Sequence, residues 1–541
     1  MASTPPPPLR PIDTSTAKTT CGRNQHHAAV LEGVAAAAEE EPASPATRLF
    51  HTKNLNCYII AVLGCTTKIN VEVVKKGLES TLVNHPRFSS TLSEDKRSGK
   101  KRWVRGKVDV EKHVICPELG PADMEPTSAA DMFVENYTSS LTTKEMDMSK
   151  PLWDIHILNV KTSEANSTGI LRMHHSLGDG ISLISLFLAC TRKTSDPAAL
   201  PTIPTAARTA TRRRPEFGFL LGRPFLFLML VVNTVVDMLL FLATLLFLKD
   251  THTPLKGGGI IKKSHTTDSC GGRVADLPGR RLVHRTISLD DIKLIKNALN
   301  VTVNDVLMGI LQAGMSRYLN RKYGKQKWSE SNDNKNNLPK SVRLRGAVIF
   351  NIRPSAGIKA LAEMMEKKSK AKWGNKIGYA LTPLFIGLQE NPLGYIYKAK
   401  AIIDRKKLSL ESRLSFSAAH LIVKLFGIEA AAALTNRVIA NTTVLVSNVV
   451  GPEDEISFFG HSMVFAAPAV YGVGHALTIH FQSYCNKMTI SMAVDPEVIS
   501  DPYQLCDDLE HSLEMFKDAL KISTKEVVVL DVDDASYLSI V

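Results

Sequence analysis

The strongest chemical signal in the chain is two adjacent histidines followed, after a three-residue gap, by aspartate and glycine: His174-His175-Ser176-Leu177-Gly178-Asp179-Gly180. A neutral imidazole near its operating pKa can take a proton from a hydroxyl and make it a nucleophile toward an acyl thioester. Gly169–Met173 reads as a short apolar strand and Ile181–Leu188 as a buried helix, so the pair sits at a strand end. Successive side chains there point to opposite sides, so one histidine can face a cleft while the other packs inward. Asp179 and Gly180 then turn the chain into the helix. No covalent intermediate is needed if both substrates bind together. The chain has no G-x-S-x-G elbow, which argues against a serine hydrolase of the common α/β type. A metal centre would need a third and a fourth ligand, and no H-E-x-x-H or equivalent is present, so no metal is expected. The competing reading of an isolated histidine pair is purely structural.

The elements that must hold this motif follow from composition and periodicity. At 541 residues and 44% hydrophobic content, two sizeable cores are expected. The net charge of +13 suits an anionic membrane surface or a phosphorylated co-substrate. No zinc-finger spacing or RNP-like strand supports nucleic acid. The eight cysteines lack a C-x-x-C pair and are expected to be reduced thiols facing the cytosol. The first 30 residues have no apolar signal core, although their Ser/Thr content leaves a transit peptide open.

Residues 1–45, with proline, alanine and acidic runs, read as a disordered tail. From there the texture is mixed α/β. The expected division is a first lobe over 46–195, a linker over 196–281, a second lobe over 282–522 and a tail over 523–541. The spacing of Val71, Val74, Leu78 and Leu82 predicts a helix over 71–85 that Pro86 stops, followed by Arg87-Phe88-Ser89 in a turn leading to a strand. In the second lobe, strands are expected at Leu282–Ile287, Gly346–Ile352 and Thr442–Val449. A helix carries Val303 to Val306, Lys325–Lys340 reads as a surface insertion, and a last helix starts at Asp501-Pro502 with the stripe Leu505, Leu509, Leu513, Phe516 and Leu520.

Phe225–Leu248 is apolar apart from Asn233 and Asp237 and would be about 36 Å long as one helix, enough to cross a bilayer. A single crossing would put the two lobes on opposite sides of the membrane, where they could not share a site. The favoured expectation is a segment that dips into one leaflet or lies in the interface, as a helical hairpin broken near Asn233. A buried core helix is the alternative. Basic residues flank both ends, so charge gives no orientation.

His174-His175 with Asp179-Gly180, Pro151-Leu152-Trp153, His85-Pro86-Arg87-Phe88-Ser89, Asn304-Asp305, Asn351-Ile352-Arg353-Pro354 and Ser447-Asn448-Val449-Val450-Gly451-Pro452 occur together in this chain. As a set they resemble the bifunctional wax ester synthase/diacylglycerol acyltransferase family, plant type, over roughly residues 46–522. The resemblance implies two related chloramphenicol-acetyltransferase-like lobes with the histidine in a channel between them. It implies acyl-CoA as co-substrate rather than a bound cofactor, and a long-chain alcohol or diacylglycerol as acceptor. His175 maps to the general base, and His174 would orient the loop. In relatives of this fold the aspartate points away from the reacting atoms and holds the loop through a salt bridge. Arg353 is the candidate partner of Asp179, with binding of CoA phosphates as its alternative role. Ser447 or Asn448 could donate to an oxyanion, or be ordinary turn residues. Asn304 and Asp305 could serve substrate or only cap a helix, and Trp153 reads as a packing anchor.

Two related groups fit less well. Soluble plant acyltransferases that make phenolic esters end in a D-F-G-W-G motif that is absent here, and peptide-synthetase condensation domains sit beside carrier domains. A non-catalytic lipid-binding scaffold of the same fold is the non-enzymatic alternative. Partners are expected to be the lipid surface and the two substrates. The expected place is the endoplasmic reticulum membrane, or also the plasma membrane, with both lobes facing the cytosol.

Overall fold

Apolar strand runs and capped helices assemble into two large mixed sheets, each with its own core, beside two small sheets. The computed structural model describes residues 40–53, 55–95, 100–120, 126–204, 224–256, 264–267, 273–276, 279–326, 336–352, 358–367 and 373–536. The strands are β1 (Glu40–Pro42), β2 (Tyr58–Cys65), β3 (Ser90–Glu94), β4 (Lys101–Arg105), β5 (Val114–Ile115), β6 (Trp153–Leu158), β7 (Ser167–His174), β8 (Thr191–Lys193), β9 (Ser264–Thr267), β10 (Arg273–Asp276), β11 (Arg281–Ser288), β12 (Leu344–Asn351), β13 (Ile377–Leu384), β14 (Val444–Val449), β15 (Ile456–Phe458), β16 (His461–Tyr471), β17 (Leu477–Tyr484) and β18 (Lys487–Val494). The helices are α1 (Pro45–Leu49), α2 (Val71–Ser80), α3 (Thr127–Leu141), α4 (Gly180–Ala189), α5 (Pro224–Leu246), α6 (Leu289–Ala298), α7 (Val303–Gln326), α8 (Ile358–Lys367), α9 (Gly394–Lys407), α10 (Glu411–Asn441) and α11 (Pro502–Ser536).

The first sheet has the order β5-β6-β7-β2-β16-β15-β8 and the second β11-β18-β17-β14-β12-β13, and the two small sheets are β1-β4-β3 and β10-β9. Every residue of β6 and β7 is buried, as expected of strands covered on both faces. Arg172 tolerates this burial because Asp154 meets it with two hydrogen bonds, Nη2 to Oδ2 at 2.6 Å and Nε to Oδ1 at 3.1 Å. Trp153 is fully buried, stacks on His113 at 4.2 Å and donates Nε1–H to the Phe88 carbonyl at 2.9 Å. The strands β15 and β16 lie in the first sheet although they follow β14 of the second in the chain, so the sheets are stitched together.

Several expected elements shift. α2 ends at Ser80 rather than at residue 85, because Thr81 leaves helical geometry (φ −127°, ψ −84°) and a short 3-10 turn, Leu82–Asn84, follows. β1 and α1 occupy the end of the segment read as a disordered tail. Glu41 is held there by Arg87 at 2.7 Å, and Ser44 caps α1. α11 runs to Ser536, through residues read as a C-terminal tail. Residues 1–39 lie outside the described residues, as does residues 327–335 of the expected surface insertion.

The apolar run corrects the expected hairpin: α5 is continuous through Asn233. Its polar residues form one stripe that faces the protein. Asn233 donates to the Leu408 carbonyl at 3.1 Å, and the fully buried Asp237 pairs with Arg405 at 2.7 Å and Lys406 at 2.9 Å. Toward its end, Arg437 donates to the carbonyls of Leu245 and Leu246 at 2.7 and 2.9 Å. The opposite face leaves Phe225, Leu228, Val232, Val235, Leu239 and Leu246 exposed, which also excludes a core helix. α5 and α10 are each long and apolar enough to cross a membrane by length and composition. Gly427, however, breaks α10 with φ +84° into halves that are each too short to do so.

Lys406 Nζ also reaches Glu411 at 2.6 Å, so Asp237 belongs to a buried charge network that anchors α5. Asp237→Ala leaves Arg405 and Lys406 short of a partner and is expected to destabilise the fold by about 3 kcal/mol. The midpoint of chemical denaturation of the detergent-solubilised protein measures this; an unchanged midpoint would mean that α5 docks without the network.

Candidate active site

The site is built where β7 runs out. His174 ends the strand, a 3-10 turn carries His175 to Leu177, and Asp179 caps α4 by accepting from the Ser182 backbone N–H at 2.9 Å. Its other carboxylate oxygen accepts from the backbone N–H of Lys376 at 3.0 Å, just before β13 of the second sheet. Two neighbours reinforce this cross-sheet tie. Asn375 Nδ2–H donates to the His175 carbonyl at 2.9 Å, and Trp373 Nε1–H donates to the Leu177 carbonyl at 2.7 Å. Arg353, the expected partner of Asp179, lies outside the described residues.

The two histidines are held differently. His174 Nε2 faces Asn56 Oδ1 at 2.9 Å, and Nδ1 meets the Ser176 hydroxyl at 2.7 Å and the Ser176 backbone N–H at 3.2 Å. These partners assign the proton to Nε2, so the Ser176 hydroxyl donates to Nδ1 and accepts from His51 Nε2–H at 3.0 Å. The His51 ring stacks on His174 at 4.1 Å. Burial, then the proximity of the His51 and His175 imidazoles, pushes the His174 pKa well below 6.5. Both nitrogens are occupied, and His174 is fixed as a neutral structural ring.

His175 Nδ1 is buried without a hydrogen-bond partner among the described residues. Its ring lies 4.6 Å from that of Phe50 in a tilted contact. Burial lowers its pKa; its own carbonyl, Asp179 and Asn375 oppose the shift without reversing it. The result is a neutral imidazole whose backbone is held by Asn375 and whose ring packs on Phe50.

The other candidates separate by strand face. Val444 and Val446 of β14 belong to the second core, so Ser447 lies on the opposite face and Asn448 on the core side. Asn448 Nδ2 donates to Asn304 Oδ1 at 2.5 Å at the start of α7, and its own Oδ1 is buried without a partner. Asp305 is fully buried, accepts from the Thr302 backbone N–H at 2.7 Å and returns its own N–H to the Thr302 hydroxyl at 3.3 Å, which is a reciprocal cap. Gly180 is the first residue of α4. A Cβ on it would meet Val449 at an ordinary 3.7 Å, whereas one on Gly178 would lie 2.9 Å from the Trp373 ring.

Residues 66–307 match the model of the wax ester synthase/diacylglycerol acyltransferase catalytic domain, and residues 373–517 that of the WS/DGAT C-terminal domain. Wax ester synthase/diacylglycerol acyltransferase 5 of Arabidopsis thaliana is 49% identical over 490 residues, covering 88% of this chain and 94% of the relative. The chain belongs to the wax ester synthase/diacylglycerol acyltransferase family. It is therefore an acyltransferase. Wax ester synthase/diacylglycerol acyltransferase 11 of the same plant is 50% identical over 491 residues, covering 89% of this chain and 96% of the relative. Among solved structures, the wax ester synthase/diacylglycerol acyltransferase from Marinobacter aquaeolei VT8 matches with a TM-score of 0.55 at 17% identity, covering 89% of this chain and 99% of that one. The first condensation domain of the calcium-dependent antibiotic synthetase, in complex with substrate analogue 2a, matches with a TM-score of 0.50 at 11% identity, covering 86% and 91%. The family's fold is thus present in this chain, with the His174–Gly180 motif within the matched catalytic domain.

Trp373, Asn375, His51 and Asn56 were not singled out by the motifs. Only Trp373-Gly374-Asn375, a rare tryptophan just before a strand, offered a local signal. Because the Trp373 ring occupies the space a Cβ would need, Gly178→Ala is expected to destabilise by about 1–3 kcal/mol and lower turnover, while Gly180→Ala stays within about 0.5 kcal/mol of wild type. Melting curves of the two variants check this, and equal melting temperatures would remove the close approach as the reason for Gly178.

Proposed function

We propose that this acyltransferase moves a long-chain acyl group from acyl-CoA to a long-chain alcohol, giving a wax ester, or to diacylglycerol, giving triacylglycerol. The observation that carries this reading is the contrast within one motif: His174 has both nitrogens engaged, while the buried Nδ1 of His175 has no hydrogen-bond partner among the described residues and burial lowers the ring's pKa. In this reading two related lobes enclose a channel and His175 takes the acceptor's hydroxyl proton. The alkoxide attacks the thioester carbonyl, and the CoA thiolate leaves and recovers the proton from the imidazolium. Asp179 acts on the loop and not on the reacting atoms. Ser447, on the β14 face opposite the core, is the candidate donor to the oxyanion. Arg353 remains a candidate for CoA phosphates.

The acceptors are lipids, and the outward apolar faces of α5 and α10 suit a membrane surface. Leu421, Leu425 and Phe426 of α10 are exposed beside the Gly427 break and add to the exposed apolar residues on the outer face of α5. α5 is tied to the protein at its middle, through Asn233 and Asp237, and at its C-terminal end, through Leu245, so the fitting arrangement is docking into one leaflet rather than crossing. Endoplasmic reticulum, or also plasma membrane, with the catalytic lobes in the cytosol, is the corresponding location.

Membranes containing the wild type or His175→Ala, given labelled acyl-CoA and either hexadecanol or diacylglycerol, test the reading. Neutral-lipid ester is expected to fall about 100-fold or more in the variant; equal ester from both proteins would remove His175 as the base. The pH dependence is a second readout. Because the pKa of His175 is lowered, the ring is already unprotonated at pH 6.5 and loses base function only as pH falls through the lowered value. The acid limb of kcat/KM is therefore expected below pH 6.5, and a limb above it would contradict a buried neutral base.

A further inference from the structure

A second buried imidazole stands on the face of the second sheet that meets the first. In β17, Leu477, Ile479 and Phe481 belong to the second core, so Thr478, His480 and Gln482 lie on the opposite face. That face touches β16 of the first sheet: the Thr478 hydroxyl donates to the Val470 carbonyl at 2.8 Å, and the Ser491 hydroxyl donates to the Pro468 carbonyl. His480 sits in register between Ser491 of β18 and Ser447 of β14, the candidate oxyanion donor. It is only 5% exposed, and neither ring nitrogen has a hydrogen-bond partner among the described residues.

A buried imidazole with both nitrogens unpaired destabilises a fold, and an apolar residue of similar volume would pack there without that penalty. Such a group makes sense where a bound molecule supplies its partner. Burial lowers the His480 pKa to about 3, and His175 is near enough to add to the lowering. The ring is neutral, carries one N–H, and is suited to hydrogen-bond donation rather than proton transfer.

We propose that His480 is a second catalytic imidazole of this acyltransferase, donating its N–H to the thioester carbonyl oxygen as that oxygen becomes an oxyanion. The proposal rests on the acyl-transfer reading of His175. His175 removes the hydroxyl proton as the new C–O bond forms and the carbonyl π pair moves onto oxygen. His480 holds that oxyanion without giving up its proton. The pair then returns, the C–S bond breaks, and the departing thiolate takes the proton held by His175. Ser447, its register neighbour, lines the same wall.

The test uses the full chain in detergent with His480→Leu, His480→Met and His480→Gln, and His175→Ala alongside. The apolar variants are expected to lose about 100-fold in kcat with the KM for acyl-CoA changed by less than about threefold, at a melting temperature no lower than wild type. His480→Gln, which keeps an N–H donor, is expected to recover part of the loss. Wild-type kcat in either folded apolar variant, a rise in KM with unchanged kcat, or losses that track a lowered melting temperature in both apolar variants would overturn the proposal. If His175→Ala also keeps its kcat, the acyl-transfer reading of His175 fails; if only the His480 variants keep theirs, the role of His480 fails alone.

Discussion

One carboxylate ties the histidine turn to both sheets. Asp179 accepts from the first turn of α4 with one oxygen and from Lys376, at the entrance to β13, with the other. A fully buried carboxylate is unfavourable unless amides of this kind meet it. The loop bearing the histidines is therefore set by where the second sheet presents its backbone, and Asn375 and Trp373 repeat the contact on the carbonyls of His175 and Leu177. β15 and β16 give the chain a second stitch, so the two sheets have little freedom to part around the site.

Fixing the backbone leaves the buried Nδ1 of His175 without a hydrogen-bond partner among the described residues, and this separates the two histidines. A ring held at both nitrogens, as His174 is by Asn56 and Ser176, has its tautomer and orientation fixed but no lone pair to offer. A ring positioned from behind keeps one. Burial acts on both in the same direction, disfavouring the charged form, so neither is protonated near neutral pH. Hydrogen bonding, rather than pKa, distinguishes the proposed base from its neighbour.

The local features were legible because short-range physics decides them. The strand into His174, the buried helix after Asp179 and the stripe Leu505, Leu509, Leu513 and Phe516 all follow from period and capping. The features that failed to show depend on distant partners. Nothing within Phe225–Leu248 says that Arg405 and Lys406 will neutralise Asp237 and keep the helix unbroken. Periodicity likewise cannot tell that β16 joins the first sheet or that Asn375 will cover His175. The polar alternation Thr478, His480, Gln482 within an otherwise apolar strand was a readable sign that this face met something other than a core. At the oxyanion candidates the sequence left Ser447 and Asn448 open, and the strand face now separates them.

If the cross-sheet clamp acts by positioning His175, Asn375 should matter only while His175 is present. A double-mutant cycle of Asn375→Ala and His175→Ala on turnover measures this directly. The account predicts that Asn375→Ala lowers turnover in the wild type by about tenfold or more and has no further effect on the residual turnover of His175→Ala. Independent, additive losses would contradict it.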